Sequence, residues 1–99
     1  MNHENSHNPI HPGDHLAEFL EETGISQYRL ALDISVPPRR INEIVRGKRA
    51  ITADTALRLG RYFGTSPEFW MNLQDHYELA CAHQALGNRL DQEVRPHVA

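Results

Sequence analysis

This chain has few of the features that mark secreted or membrane proteins. Cys81 is the only cysteine, which excludes a disulfide framework and a cysteine-rich zinc site within one chain. No run of about 18 apolar residues occurs, so the sequence offers no membrane span. The N-terminal residues have neither the basic nor the apolar segment of a secretion signal. We therefore expect a cytoplasmic protein without a membrane partner.

Motifs of catalysis and metal binding are also missing. There is no nucleophile motif, Gly-rich phosphate loop or paired-carboxylate setting, and Cys81 near His83 is too little to support thiol catalysis. Four histidines recur at every fourth position: His3, His7, His11 and His15. Prolines among them oppose a continuous helix, so the pattern favours a polar tail over a metal site. We expect no enzyme, no metal and no cofactor.

Basic groups are fewer than acidic ones, and a net charge of −3 alone argues against a nucleic-acid partner. Their distribution reverses that interpretation. Residues 29–61 carry eight basic groups against three acidic ones, whereas residues 1–28 carry five acidic groups and no Lys or Arg. Nine of the ten basic groups are arginines, which suit bidentate contacts with guanine or phosphate. A basic middle between acidic flanks indicates a nucleic-acid footprint, with chance clustering of surface charges as the alternative.

The basic segment contains the pattern of a helix-turn-helix over residues 27–46. Six apolar positions can lock its two short helices together: Leu30, Ala31, Ile34, Val36, Ile41 and Ile44. Ser35 and Val36 are predicted to form the turn. Pro37 and Pro38 then open the second helix, where a missing N–H costs little. A helix placed this way fits the DNA major groove.

Four outward residues of that second helix are expected to contact bases: Arg39, Arg40, Asn42 and Glu43. Arg39 is the first choice, because arginine forks onto O6 and N7 of guanine. For Glu43, an ion pair with Arg39 or Arg46 along the helix is an equally good alternative.

Phosphate contacts are expected from five residues around the motif: Gln27, Tyr28, Arg46, Lys48 and Arg49. Gln27 and Tyr28 lie at a helix start, where backbone dipoles attract phosphate. Such contacts set register and carry little sequence information. For Lys48 and Arg49 the alternative is a solvated basic loop, and Arg58 and Arg61 are expected to be surface groups or intrahelical partners.

No segment alternates like a strand, and the sequence predicts an all-α, five-helix domain over residues 12–87. Disordered residues 1–11 precede it and a flexible tail of residues 88–99 follows. The predicted helices begin at local caps and prolines: Pro12, Ser26, Pro37, Thr52 and Ser66. Leu57, Leu59 and Phe63 are expected to form the buried side of the fourth helix. Gly60 inside that helix costs up to about 1 kcal/mol relative to Ala, unless another backbone packs close by.

A single helix-turn-helix reads about half a site, so a homodimer on a palindrome is expected. The fifth helix, with Trp70, Leu73 and Tyr77, is the predicted dimer interface. The alternative is that this apolar stripe covers only its own core.

Four segments carry a resemblance to a known family. They are HPG at 11–13, SQYRLA at 26–31, VPPRRINEIVRGKRAITADTALRLGRYFGTSPEFW at 36–70 and NLQ at 72–74. With them the chain resembles the HigA-type antitoxins, which are XRE-class proteins with lambda-repressor-like domains. The resemblance implies five helices, a homodimer on a palindromic double-stranded DNA operator, and a RelE-like, mRNA-cleaving toxin as partner. Ser35 departs from the family at a turn position where Gly is common, and Asp33 stands where a neutral or basic residue is usual.

The expected function is therefore sequence-specific DNA binding and repression, as the antitoxin of a type II toxin–antitoxin pair that regulates its own operon. A stand-alone XRE-type transcriptional regulator without a toxin is the second hypothesis. A protein-interaction module that has lost DNA binding is the third, favoured by Ser35, Asp33 and the overall acidity. The acidic first helix, with Glu18, Glu21 and Glu22, is expected to meet a basic toxin together with the N-terminal tail.

Overall fold

The computed structural model describes residues 8–98, and all of the regular structure in that range is helical. The helices are α1 (Pro12–Thr23), α2 (Gln27–Ile34), α3 (Pro38–Val45), α4 (Ala53–Phe63), α5 (Pro67–Leu86) and α6 (Arg89–Glu93). This confirms the predicted all-α, lambda-repressor-like fold. The short α6 is a sixth helix within residues 88–99, where the sequence predicts only a flexible tail, and its start has no side-chain cap that would have indicated it. The expectations for residues 1–7, His3 and His7 included, lie outside the described residues.

No helix among the described residues has both the length and the apolar character that crossing a membrane requires.

Local caps define most helix ends, as predicted. The Ser26 hydroxyl accepts a hydrogen bond of 3.0 Å from the N–H of Arg29, and the Ser66 hydroxyl accepts one of 3.1 Å from the N–H of Phe69. The second helix of the helix-turn-helix, α3, begins one residue later than predicted. Pro37 keeps an extended backbone as its N-cap, and Pro38 is the first helical residue.

The N-cap of α1 is His11, a residue that was expected to belong to the disordered N-terminal tail. His11 Nδ1 accepts a hydrogen bond of 2.8 Å from the N–H of Gly13. The His11 ring also meets the Tyr77 ring of α5 edge-on, with centroids 4.8 Å apart. Gly13 lies so close to the carbonyl of Ile44 in α3 that a Cβ would overlap it. These contacts anchor the N-terminus of α1 on both α3 and α5.

The core is built where α1 to α5 converge. Its buried hydrophobic residues are Leu16, Leu20, Leu30, Ala31, Ile34, Val36, Ile41, Ile44, Ile51, Ala56, Leu59 and Trp70. All six apolar positions predicted for the helix-turn-helix are among them. The core therefore fixes α2 and α3 relative to each other from both sides of the turn.

The prediction for Leu57 is wrong, because its side chain is 61% exposed. The buried residues of α4 are Thr55, Ala56, Leu59 and Gly60. At about 100° per residue, Leu57 lies outside the arc that these four span. Three of the four buried residues are small (Thr55, Ala56 and Gly60), which allows α4 to approach its neighbours closely.

Gly60 illustrates that close approach. A Cβ at this position would lie 2.9 Å from the carbonyl oxygen of Thr65 and 3.2 Å from the nitrogen of Pro67. The backbone of Thr65 to Pro67 packs against Gly60. This close approach explains why a glycine is found inside α4 despite its cost to the helix. The short connection from α4 to α5 requires this glycine.

Candidate nucleic-acid interface

The turn between α2 and α3 contains an unusual backbone conformation. Ser35 has φ 61° and ψ 48°, and it is the one non-glycine residue with positive φ among the described residues. The N–H of Val36 donates to the carbonyl of Ala31 across the turn, at 3.0 Å. The left-handed conformation expected at this turn is therefore present, with serine in place of glycine.

Arg58 of α4 hydrogen-bonds to the backbone at the start of the same turn. Its Nη1 donates a hydrogen bond of 2.8 Å to the carbonyl of Ile34, and its Nε donates one of 2.7 Å to Asp54. The carbonyls at a helix C-terminus have no partner within the helix, so this guanidinium satisfies one of them. An intrahelical pair was one of the two expectations for Arg58, and Asp54 is the partner that the structure shows. The sequence analysis missed the contact with Ile34, which lies 24 residues away and has no local signal.

The polar face of α3 lies opposite its buried residues Ile41 and Ile44. The Arg39 side chain is 85% exposed on the first turn of this face. Asn42 and Arg46 are exposed one and two turns further along. Side chains of this kind are the ones that hydrogen-bond to base edges and phosphates.

Asn42 connects α3 to the start of α2. Its Nδ2 donates a hydrogen bond of 3.2 Å to Gln27 Oε1. The structure thus brings together one predicted base-contacting residue and one predicted phosphate-contacting residue. Tyr28 follows Gln27 with an exposed ring at the same helix end.

Arg40 turns away from the other predicted base-contacting residues. Its Nη1 lies 3.8 Å from Asp54 Oδ1 of α4, and its side chain is only 31% exposed. Ser35, Arg49 and Arg58 line the same surface depression as Arg40. This position, between α3 and α4, suits a phosphate contact better than a base contact.

The loop after α3 carries the remaining basic residues. Arg46, Lys48 and Arg49 are all exposed, and Gly47 between them has φ 76°. Gln74 of α5 fixes the far end of this loop, because its buried Oε1 accepts a hydrogen bond of 2.8 Å from the N–H of Ile51. Gln74 is a positioning residue that the sequence analysis missed, since a polar residue inside a helix gives no sign of burial.

Glu43 lies between two arginines. Its two carboxylate oxygens accept hydrogen bonds of 2.8 Å from Arg39 Nε and from Arg49 Nε. These bonds, with Arg49 contributing more than Arg39, hold the pKa of the Glu43 carboxyl below its usual value. The predicted partner Arg39 is found, whereas Arg49 takes the place of the alternative Arg46.

Asp33, the acidic departure from the family pattern, has partners of its own. Arg29 Nε lies 3.3 Å from its Oδ1, and the Tyr62 hydroxyl donates a hydrogen bond of 2.9 Å to its Oδ2. The Asp33 carboxylate raises the pKa of Tyr62. The neighbouring Arg29 offsets the negative charge of Asp33 near the helix-turn-helix.

The three residues predicted at the dimer interface differ in burial. Trp70 is fully buried, and its Nε1 donates a hydrogen bond of 2.9 Å to the Thr65 hydroxyl. Because its side chain is not exposed, Trp70 cannot contact a partner chain, and the prediction that it lies at the dimer interface is wrong. Leu73 and Tyr77 are half-buried and remain in it.

Within residues 8–98, no three His, Cys, Asp or Glu side chains are grouped so that they could hold a metal ion.

The comparisons with known proteins agree with this geometry. The helix-turn-helix family model matches residues 16–70. Virulence-associated protein I of Dichelobacter nodosus is 54% identical over 76 residues, which are 76% of this chain and 70% of that protein.

Two solved structures are similar over most of the chain. The Pseudomonas aeruginosa antitoxin HigA, solved with the higBA promoter, superposes with a TM-score of 0.87 at 50% identity and covers 92% of this chain and 100% of its own. An addiction module antidote protein of the HigA family from Coxiella burnetii gives a TM-score of 0.87 at 47% identity, with 91% and 99% covered. These matches confirm the resemblance found in the sequence. The chain belongs to the helix-turn-helix family and, within its XRE class, to the HigA family.

Proposed function

We propose that this chain is a sequence-specific DNA-binding repressor and the antitoxin of a type II toxin–antitoxin pair. The observation that carries the proposal is the polar face of α3. There Arg39, Asn42 and Arg46 stand outside the core, beside the start of α2. The HigA relative from Pseudomonas aeruginosa, solved with promoter DNA, supports the same role. The role is one of binding rather than catalysis, and it belongs in the cytoplasm.

In the proposed complex, α3 enters the major groove. Arg39 forks onto a guanine and Asn42 reads a neighbouring base, while Glu43 remains bonded to its arginines. Phosphate contacts come from residues around α3: Gln27, Tyr28, Arg40, Arg46, Lys48 and Arg49. Base contacts then supply sequence preference, and phosphate contacts supply affinity that falls with salt. Repression is steric, because the bound protein occupies DNA that overlaps the promoter.

A homodimer would read the two halves of a palindrome with two copies of α3 about 34 Å apart. The half-buried Leu73 and Tyr77 support a dimer contact along α5. The exposed Leu90 adds apolar surface on α6, toward the C-terminus. The proposed dimer contact therefore lies along the face of α5 that carries Leu73 and Tyr77, and on α6.

A promoter–reporter fusion tests the repressor role in cells. The reporter carries the DNA upstream of this chain's gene, and the chain is supplied in trans. We expect wild-type protein to lower expression, Arg39→Ala to restore it, and Glu68→Gln on α5 to repress like the wild type. An unchanged reporter level with wild-type protein, against an empty vector, would contradict the proposal.

The antitoxin role requires a toxin, proposed to be RelE-like and basic. The exposed carboxylates Glu18, Glu21 and Glu22 of α1 form the proposed docking surface. Co-expression of each neighbouring open reading frame should reveal one that arrests growth only without this chain. Reversal of charge at Glu18 and Glu21 should then weaken the complex at moderate salt. If the affinity did not change, this surface would be excluded.

Absence of any such reading frame would favour a stand-alone regulator. Failure to bind DNA at all would favour an interaction module.

A further inference from the structure

Glu43 joins two parts of the interface that the fold would otherwise leave independent. Arg39 belongs to the first turn of α3, and Arg49 belongs to the loop between α3 and α4. Both guanidinium groups donate through Nε to the same carboxylate, at 2.8 Å each. The Glu43 side chain is only 24% exposed, whereas Arg39 on one side is 85% exposed. The carboxylate is therefore the fixed member of this cluster and the arginines are the mobile ones.

Stability does not account for this arrangement. Ion pairs at exposed positions contribute little to folding, because water screens them and ordering long side chains opposes them. A carboxylate beside the phosphate backbone also repels DNA. A negative charge in the middle of the basic surface needs another explanation, and the geometry supplies one.

We propose that Glu43 is a positioning residue that aims Arg39 at a base and Arg49 at a phosphate. This inference rests on the proposed DNA-binding function and assigns Glu43 a role other than reading a base. A guanidinium has five N–H groups, and Glu43 occupies only the Nε–H of each arginine. The Nη groups remain available to fork onto guanine or phosphate. Arginines held in place before binding lose less side-chain freedom when the complex forms.

The arrangement also favours correct DNA over incorrect DNA. On the right sequence, both Nη forks are satisfied and the Glu43 charge stays neutralised by its arginines. On a wrong sequence, Arg39 must leave Glu43 to follow other contacts, and the carboxylate then faces the phosphates with Arg49 as its one remaining partner. Repulsion of this kind against the wrong partner raises specificity.

Two substitutions separate positioning from charge. Glu43→Gln removes the negative charge and the charge-assisted bonds. Glu43→Asp keeps the charge but shortens the side chain by about 1.5 Å, so it cannot reach both Nε atoms. The probes are a duplex selected from a random pool by wild-type protein and a shuffled duplex of the same composition. Glu68→Gln on α5 is the matched control, and circular dichroism verifies folding of every variant.

We expect both Glu43 variants to lower the ratio of selected to shuffled affinity about tenfold, the scale of one misplaced base contact. Glu43→Gln should also bind shuffled DNA more tightly than wild-type protein does. In an Arg39→Ala background, Glu43→Gln should cause no further loss of preference at the affected base pair, because Glu43 acts there through Arg39.

The opposite results would overturn the inference. If Glu43→Asp discriminates like the wild type, Glu43 acts by charge alone. If the losses from Arg39→Ala and Glu43→Gln add at different base pairs, Glu43 reads a base of its own. If wild-type protein selects no sequence from the pool, the proposed function itself fails, and the role of Glu43 fails with it.

Discussion

At the scale of single residues, Ser35 tests how much strain the turn between α2 and α3 carries. Its left-handed backbone, with φ 61°, disfavours a side chain by about 1 kcal/mol relative to glycine. We expect Ser35→Gly to stabilise the chain by up to about 1 kcal/mol, which raises the Tm by about 4–8 °C. Thermal unfolding followed by circular dichroism measures the change.

Ser26→Gly is the matched control, because Ser26 has an ordinary extended backbone and caps α2. It should destabilise the chain by a few tenths of a kcal/mol. A Ser35→Gly variant that melts below the wild type would mean that the serine makes contacts which outweigh the strain.

His11 gives the chain a pH dependence. Burial lowers the pKa of His11 below 6.5, against an opposing effect of Asp14. The neutral ring is the form that caps α1, since a protonated Nδ1 cannot accept the N–H of Gly13. The contribution of His11 to the free energy of unfolding is therefore complete above the unfolded-state pKa of 6.5. It is lost as the pH falls through the lower folded-state pKa.

We expect the Tm of the wild type to fall between about pH 7.5 and about pH 5 more steeply than that of His11→Asn. Asparagine can cap the same helix end without titrating in this range. The depressed pKa of Glu43 affects stability only at lower pH, near and below its usual 4.5. Parallel Tm curves for the two proteins would rule out His11 as the titrating group.

At the scale of elements, α3 and the loop after it are expected to differ in what they contribute to binding. Arg39→Ala on α3 should cost about 1–3 kcal/mol on the preferred sequence and relax the preference at one base pair. Arg49→Ala in the loop should weaken all sequences alike and reduce the salt slope by about one. Fluorescence anisotropy with the selected and shuffled duplexes distinguishes the two. An equal loss on every sequence from Arg39→Ala would remove its assignment as a base reader.

Helix ends were predictable from sequence because their causes are local. Ser26 and Ser66 cap helices within three residues of themselves, and Gly24 and Gly64 end helices through their own backbone freedom. The six apolar residues around the turn were predictable for the same reason, since α2 and α3 are adjacent in the chain.

Contacts between elements were not predictable, because they depend on how the helices are oriented. The exposure of Leu57 follows from the small residues that α4 turns toward its neighbours. The contact of Arg40 with Asp54 depends on the angle between α3 and α4. The sequence thus predicted which residues form the basic surface but not how each side chain is oriented on it.

At the scale of the whole molecule, the chain is elongated and its C-terminal part is exposed. The radius of gyration is 16.5 Å, whereas a globular domain of about 100 residues has about 13 Å. No residue of α5 after Gln74 is buried, nor is any residue of α6, and Leu79 is 71% exposed. An elongated chain with an exposed apolar C-terminal part is consistent with a partner copy covering it.

We expect Leu90→Glu to weaken the dimer at least tenfold, because a carboxylate would replace an apolar contact. Leu57→Glu on α4 is the matched control, since Leu57 is also an exposed leucine and lies outside the proposed contact. Analytical ultracentrifugation over a range of concentrations measures both. A dimer that survives Leu90→Glu and dissociates with Leu57→Glu would move the interface to α4.

The central claim is that a chain with net negative charge reads DNA through a local basic surface. The most direct test is a titration of the wild-type protein with the DNA upstream of its own gene and with a shuffled control, at two salt concentrations. We predict a preference of about a thousandfold or more, with affinity that falls steeply as salt rises. Weak binding of equal strength to both duplexes would contradict the claim and leave binding of a protein partner, through the exposed carboxylates of α1, as the better account of this chain.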